Sequence, residues 1–240
     1  MKKMDKLDKD LLGFDSYSSN LIEGIARPFG PPILKASLDQ SMLEALNRQC
    51  DKIIENEKDR KDLDVSHRLS KHVKGQIQEE LHCNLSEDSL SSFRALVFDA
   101  LYALHQDTFL EHSIPKDKFS ITVDGSWYVR SFAGDFNPAH RHLPTENFTS
   151  QGVGAMVSFI GYLKIPEGIT DNTVGGYIDF LNGVSGNMTR ANLLTKPELG
   201  DIYFFPSCLS HTVYPFTGEG ERRSLSANIQ IGKIEENKNV

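Results

Sequence analysis

Glu221-Arg222-Arg223-Ser224-Leu225-Ser226-Ala227-Asn228-Ile229-Gln230-Ile231 alternates without a break. In an extended chain successive side chains point to opposite faces. Arg222, Ser224, Ser226, Asn228 and Gln230 therefore share one face, and Arg223, Leu225, Ala227, Ile229 and Ile231 the other. The pattern predicts a β-strand with its apolar face in a core. Its polar face has two readings. A half-solvated strand turns such a face to water. A strand at the mouth of a barrel turns it inward, where Arg222 offers a planar fork of donors to a carboxylate and Ser224 adds a hydroxyl.

Upstream of this strand, back to Pro115, short β-like runs are separated by Gly, Pro, Asn and Asp. They cover 119–123, 126–133, 153–165, 175–181, 188–194, 201–205, 209–214 and 222–232. No helical periodicity lies between them, so the pattern predicts a sandwich or barrel and not a parallel α/β sheet. The first third reads differently. Arg27-Pro28-Phe29-Gly30-Pro31-Pro32 makes a rigid turn in an extended segment. Ser37 precedes a helical run to about residue 57, with Leu38, Met42, Leu43, Leu46 and Ile53 on one stripe. Residues 57–68 read as a charged loop and 69–82 as a short helix. Ser86 caps a third helix to about Leu110 with Leu90, Phe93, Val97, Leu101 and Leu104 as its stripe. The expected organisation is a helical layer at 1–117 packed on a β core at 118–234, with a tail at 235–240.

A chain of 240 residues can bury a sizeable core. Its formal charge of −7 counts against non-specific binding to nucleic acid. Three cysteines, Cys50, Cys83 and Cys208, form no CxxC pair, so neither a disulfide framework nor a zinc ribbon is expected. The charged start lacks an apolar leader and no run is long enough to span a membrane. A cytoplasmic protein is the expectation.

Two features beside the alternating strand carry chemistry. In Asn137-Pro138-Ala139-His140-Arg141-His142-Leu143-Pro144, an extended chain turns His140 and His142 to one face and Arg141 to the other. Two imidazoles on one face can share a metal, and imidazole suits iron, zinc, copper and nickel. Further on, Gly200-Asp201-Ile202-Tyr203-Phe204-Phe205-Pro206-Ser207-Cys208-Leu209-Ser210-His211 brings a hydrophobic strand through a turn to a third His. A ligand from a distant strand lets the fold, and not one loop, hold a metal. A turn at Gly218-Glu219-Gly220 then returns the chain to Arg222. Taken singly, each His also reads as an ordinary strand or loop residue. His67, His72, His82, His105 and His112, scattered through the helical part without an HExxH, read as surface or interface residues. Cys208 reads as a small buried hydrophobe, since no acid is placed to orient a Cys/His pair.

Together the order His140-Arg141-His142, His211, Arg222-Arg223-Ser224 resembles the iron(II)/2-oxoglutarate-dependent oxygenases, which carry an HxD or HxE pair, a distal His, and an Arg often found as RxS. Trp127-Tyr128, Gly161-Tyr162-Leu163-Lys164-Ile165-Pro166, Gly200-Asp201-Ile202 to Phe205-Pro206-Ser207, and Arg222 to Asn228 are similar to a bacterial and phage-associated branch with an HxH pair. The resemblance covers about 118–232. It implies a double-stranded β-helix, of jelly-roll or cupin-like type, and a mainly β fold. It also implies iron(II) held by His140, His142 and His211, with 2-oxoglutarate as cosubstrate and O2 as oxidant. Ascorbate would be a stimulant. Arg222 would take the far carboxylate of 2-oxoglutarate, helped by Ser224 and by Tyr128 or Tyr162. The implied reaction is hydroxylation of a small molecule or a protein side chain. His142 stands where the family usually has a carboxylate, which would leave the iron site one charge more positive. Asp135, Glu146 and Asp179 are the alternative carboxylate ligands.

Two other readings compete. A cupin-like three-His metalloenzyme without 2-oxoglutarate accounts for the histidines but not for Arg222 and Ser224 on one face. A non-enzymatic β-sandwich binding module would leave the histidines at the surface. The N-terminal helices could support a homodimer. The loops 143–152, 166–175 and 182–200, expected to set specificity, carry no recognisable code.

Overall fold

The computed structural model describes residues 22–26, 30–64, 77, 79–109, 112–142, 155–183 and 191–234. The fold is mainly β. Two antiparallel sheets face each other, and helices cover the outer face of the larger one. The strands are β1 (Ile22–Ala26), β2 (Ile33–Ser37), β3 (Glu79–His82), β4 (Phe119–Ser131), β5 (Asn137–His140), β6 (Ala155–Lys164), β7 (Ile178–Leu181), β8 (Asn192–Thr195), β9 (Asp201–Pro206), β10 (Ser210–Val213) and β11 (Arg222–Lys233). The large sheet runs β1-β2-β9-β6-β11-β4-β3 and the small one β5-β10-β7-β8. This is the jelly-roll arrangement expected from the β-rich half.

β11 is an interior strand of the large sheet, between β6 and β4. It pairs with β4 from Arg222↔Ser131 to Lys233↔Phe119, and with β6 from Arg223↔Lys164 to Ile231↔Ala155. Its alternation is realised with the polar face inward. Leu225, Ala227, Ile229 and Ile231 join Phe159, Phe204 and the helices in the outer core. Between the sheets a second cluster holds Ile160, Tyr162, Phe180, Tyr203, Phe205 and Leu209. Each such side chain removed from water stabilises the fold by about 1.5–3 kcal/mol.

Helix α1 (Gln40–Glu55) begins at Asp39, whose carboxylate accepts the Met42 amide hydrogen at 2.8 Å. The cap is thus two residues after the Ser37 expected from sequence. It buries Met42, Ala45, Leu46, Gln49, Cys50 and Ile53. Helix α2 (Glu57–Leu63) occupies part of the stretch read as a loop. It buries no residue fully; Asn56 caps it, acids fill its first turn and Arg60 and Lys61 its last, and Leu63 and an Arg60–Glu79 pair tie it to the core and to β3. Helix α3 (Ser91–Phe109) follows a 3₁₀ turn at Asp88–Leu90.

Several expectations are corrected. The first 117 residues are not helical alone, since β1, β2 and β3 extend both edges of the large sheet. The helix expected at 69–82 gives way to β3 at 79–82, and most of its remaining residues lie outside the described ones, as do Arg27, Pro28, Phe29, His67, His72, Glu146 and the tail 235–240. The runs 119–123 and 126–133 are one strand. A bulge opposite Asn228 and Ile229 absorbs Asp124, so the Asp124-Gly125 pair bends the strand without ending it. His105 is buried, not superficial: its Nε2 accepts the Ile114 amide hydrogen at 2.8 Å. Cys208 is exposed in the turn before β10, whereas Cys50 and Cys83 are buried.

Candidate metal centre

β5 and β10 are antiparallel neighbours in which His140 and His211 are direct partners. A register irregularity follows between His211 and Val213, a common way of re-aiming side chains beside a site. His142 lies just past the end of β5, and its amide donates to the Ser207 carbonyl at 2.9 Å. The three rings converge. Centroids lie 4.3 Å apart for His140–His211, 5.2 Å for His140–His142 and 5.3 Å for His142–His211. One ligand nitrogen from each lies within 4.8 Å of the other two.

The ring orientations are tied down from behind. His140 Nδ1 lies 2.8 Å from the Pro138 carbonyl and His211 Nδ1 3.0 Å from the Leu209 carbonyl. A carbonyl accepts, so each Nδ1 carries the hydrogen and each Nε2 keeps a lone pair. Burial holds the rings neutral: the His211 value is pushed down to about 3 and the His142 value to about 4, with the neighbouring His140 adding to both. His140 is lowered too, by burial, although its bond to Pro138 opposes this. Neutral rings with free lone pairs are the form that binds metal. Three nitrogen donors at this spacing fit a divalent transition metal such as iron(II).

The cavity beside the triad has a second, charged wall. Arg222, 2% exposed, and Ser224, 0% exposed, point into it from β11. Arg222 Nε and Nη2, Ser224 Oγ and the Tyr162 hydroxyl are all buried without a hydrogen-bond partner among the described residues. The guanidinium lies over the Tyr162 ring, 5.1 Å from its centroid. A buried polar atom left unpaired costs about 1–3 kcal/mol. A cluster of such donors on one wall fits a carboxylate ligand held in a fork. Burial pushes the Tyr162 phenol up to about 12, against the pull of Arg222, so it stays a neutral donor.

Arg223, one residue along, has the opposite fate. It faces the helices and bonds Glu221 at 2.8 Å, Asp51 at 2.8 Å and Asn47 at 3.0 Å. Arg130, its partner across β4, shares Glu221 and pairs with Glu79, which also pairs with Arg60. Burial pushes the Glu221 carboxyl up, but bonds from Arg223 and Arg130 outweigh it and hold it at about 2.

The expected site residues thus divide. His140, His142, His211, Arg222, Ser224 and Tyr162 are brought together. Tyr128 is not. Its register opposite Leu225 puts it on the helix face, where its hydroxyl donates to Gln49 Oε1 at 2.6 Å and also lies 3.1 Å from the Leu46 carbonyl. Asp135 is used in a turn, accepting the Phe132 amide hydrogen at 2.8 Å. Asp179 accepts from Asn192 and Tyr214. Neither carboxylate joins the metal cluster found among the described residues. Trp127, stacked on His142 with centroids 5.9 Å apart, and Glu80 also line the cavity, and the sequence reading gives neither a role in the site. Parity along β4 could have found Trp127, since it must face opposite to Tyr128. Glu80 lay in a stretch misread as helix.

Residues 125–228, a span that contains the triad and Arg222, match the family described as "Putative 2OG-Fe(II) oxygenase". No curated protein matches the chain. Among solved structures, the fold is shared with the non-haem alpha ketoglutarate dependent epimerase SnoN from nogalamycin biosynthesis, at TM-score 0.52 and 14% identity over 82% of this chain and 76% of that one. It is also shared with HygX from Streptomyces hygroscopicus, solved with nickel, 2-oxoglutarate and hygromycin B, at TM-score 0.51 and 11% identity over 82% of each chain. A Pseudomonas putida prolyl-4-hydroxylase aligns at TM-score 0.49 and 16% identity over 85% of this chain and 93% of that one. At these identities the likeness is one of fold.

Proposed function

We propose, from the match of residues 125–228 to the family described as "Putative 2OG-Fe(II) oxygenase" and from the geometry of the cavity, that the chain works with iron(II), 2-oxoglutarate and O2 and hydroxylates a small molecule or a protein side chain. His140, His142 and His211 hold the iron. Arg222 and Ser224, with Tyr162 beside them, hold the far carboxylate of 2-oxoglutarate. Residues 118–234 carry the catalytic side chains, while β1, β2 and β3 complete the large sheet and the helices cover its outer face. The observation that carries the reading is the set of unpaired buried donors on β11, in the same cavity as three neutral imidazoles. A three-His metalloenzyme without 2-oxoglutarate would have no use for Arg222 there.

When bound, iron(II) with 2-oxoglutarate and O2 supplies oxidative decarboxylation to succinate and CO2 and the oxidising power for a C–H bond. The chain's own residues position and shield. Each imidazole is pre-oriented, by a backbone carbonyl at His140 and His211 and by the ring of Trp127 at His142. Arg222 and Ser224 would hold the far carboxylate of the cosubstrate, in the cavity that the three histidines also line. Ile160 and Phe205 line the cavity and are backed by the buried cluster that includes Phe180 and Leu209, which excludes water behind them.

The test is succinate release. Protein purified without oxygen is given iron(II), ascorbate and 2-oxoglutarate, then O2, with Arg222→Ala as control. Succinate above the control supports the reading. Absence of succinate, together with no rise in melting temperature when 2-oxoglutarate is added to the metal-loaded protein, would refute it.

A further inference from the structure

The cavity holds one more ionisable group that the metal and cosubstrate do not use. Glu80 sits on β3, the edge strand, opposite Val129 of β4. It lines the same cavity as the triad and Arg222, is 2% exposed, and has no hydrogen bond or ion pair to any described residue. Its neighbour Glu79 faces the other way, into the network with Arg60 and Arg130. Parity alone separates a satisfied carboxylate from an unsatisfied one.

Arg222 does not neutralise it. β4 runs between β3 and β11, so the two backbones stand about 10 Å apart. The charges that act on Glu80 confirm the isolation. Burial raises its value to about 7, and Asp64 raises it further in the same sense; no cation counters them. A buried carboxyl without a partner neutralises to escape the cost of an unpaired charge, and a cation brought beside it would restore the ionised form. A purely structural side chain at this position would be better served by Val or Leu. The cavity therefore has a cation on one wall for the cosubstrate and, on another, a carboxyl that burial holds only partly ionised at neutral pH and that an approaching cation would ionise. Trp127, stacked on His142 and lining the same cavity, adds an aromatic face of the kind that favours cations.

We propose that Glu80 is the specificity residue of this cavity and pairs with a cationic nitrogen, an ammonium or guanidinium, on the prime substrate, with the ring of Trp127 beside it. The inference rests on the oxygenase reading and narrows its substrate class. It covers a free basic amino acid and a basic side chain in a peptide, which share this chemistry.

Trp127 is the single tryptophan of the chain and lines the cavity, so its fluorescence reports occupancy. The manganese- and 2-oxoglutarate-loaded protein is titrated with L-lysine, L-arginine and acetyl-Gly-Lys-Gly-amide. Norleucine, citrulline and the norleucine peptide are the neutral counterparts. Saturable quenching by the cationic probe in one arm, roughly tenfold or more tighter than by its counterpart, is expected. Free amino acid against peptide identifies the source. Glu80→Gln should bring the cationic probe to the neutral level and melt no lower than the parent. Glu80→Asp, which keeps the charge but retracts it, should retain part of the preference. Equal binding of neutral probes, a preference that survives in Glu80→Gln, or no saturable response to any cationic probe overturns the proposal. Binding of 2-oxoglutarate is titrated separately in the manganese-loaded protein. It should be the same in both chains, and its failure in the parent would refute the oxygenase reading while leaving the charge comparison legible.

Discussion

Replacing Arg222 by Met separates the two things a buried unpaired cation does. Arg222 is 2% exposed and its Nε and Nη2 have no acceptor among the described residues. Two unsatisfied donors at about 1–3 kcal/mol each make the guanidinium a local cost of at least ~2 kcal/mol. Met keeps most of the volume over the Tyr162 ring and removes the charge. Arg222→Met should therefore raise the melting temperature of the metal-free, cosubstrate-free protein, by about 2–4 °C for each kcal/mol in a chain of this size. With 2-oxoglutarate the sign reverses. Losing two charge-assisted hydrogen bonds at about 1.5–3 kcal/mol each weakens binding by ~3 kcal/mol or more, over 100-fold in Kd. The assays are thermal melts and calorimetric titration of 2-oxoglutarate into manganese-loaded protein. Manganese affinity itself should not change. A variant that melts lower yet binds 2-oxoglutarate like the parent would refute both the orientation and the role of Arg222.

Three further outcomes follow from the geometry. His211→Ala should lose stoichiometric manganese, read by electron paramagnetic resonance, and by more than the about 10–100-fold that loss of an outer partner costs; retention of full affinity would remove His211 from the metal set. Tyr128→Phe should leave 2-oxoglutarate affinity unchanged but lower stability by about 1–3 kcal/mol in denaturant titration, because the buried Gln49 Oε1 loses its donor. For Glu221 the folded value of about 2 lies below the ordinary 4.5, so its contribution is complete above pH 4.5 and lost as pH falls through 2. The difference corresponds to on the order of 3 kcal/mol at neutral pH. Glu221→Gln should remove that acid limb and lower stability at pH 7, and an unchanged stability-against-pH curve would show the network to be inert.

Period-two alternation made the central part of the site legible. On β11 it placed Arg222 and Ser224 on one face and Arg223 on the other, and it put His140 and His142 side by side. The distal His211 was found because a hydrophobic strand, a turn and another strand can be read locally. Alternation was not applied to Trp127-Tyr128, and the wrong one of the pair was chosen for the cavity. The edge strands were illegible for a different reason. β1, β2 and β3 are four or five residues long and are strands because a sheet edge is available to pair with, which is a tertiary cause with no local signature. Glu80 was lost with them. Helix α2 was missed because it buries no residue fully, so no apolar stripe marks it. The bulge at Asp124 was read as a break because Asp-Gly is commonly a turn.

The Arg222-Arg223 doublet also says something about how this sequence can change over generations. Two chemically identical neighbours do unrelated jobs, and only the phase of β11 decides which does which. A single-residue deletion in the turn at Gly218–Gly220 that carried the strand along would exchange them. It would also turn Leu225, Ala227, Ile229 and Ile231 into the cavity and drive Ser224, Ser226 and Asn228 into the helix-covered core. Point substitutions along β11 can be tested by selection one face at a time. A length change of one residue alters both faces at once. Descendants of this chain should therefore vary freely in the length of the loops far from β11, and in the turn before it only by changes that leave its phase intact.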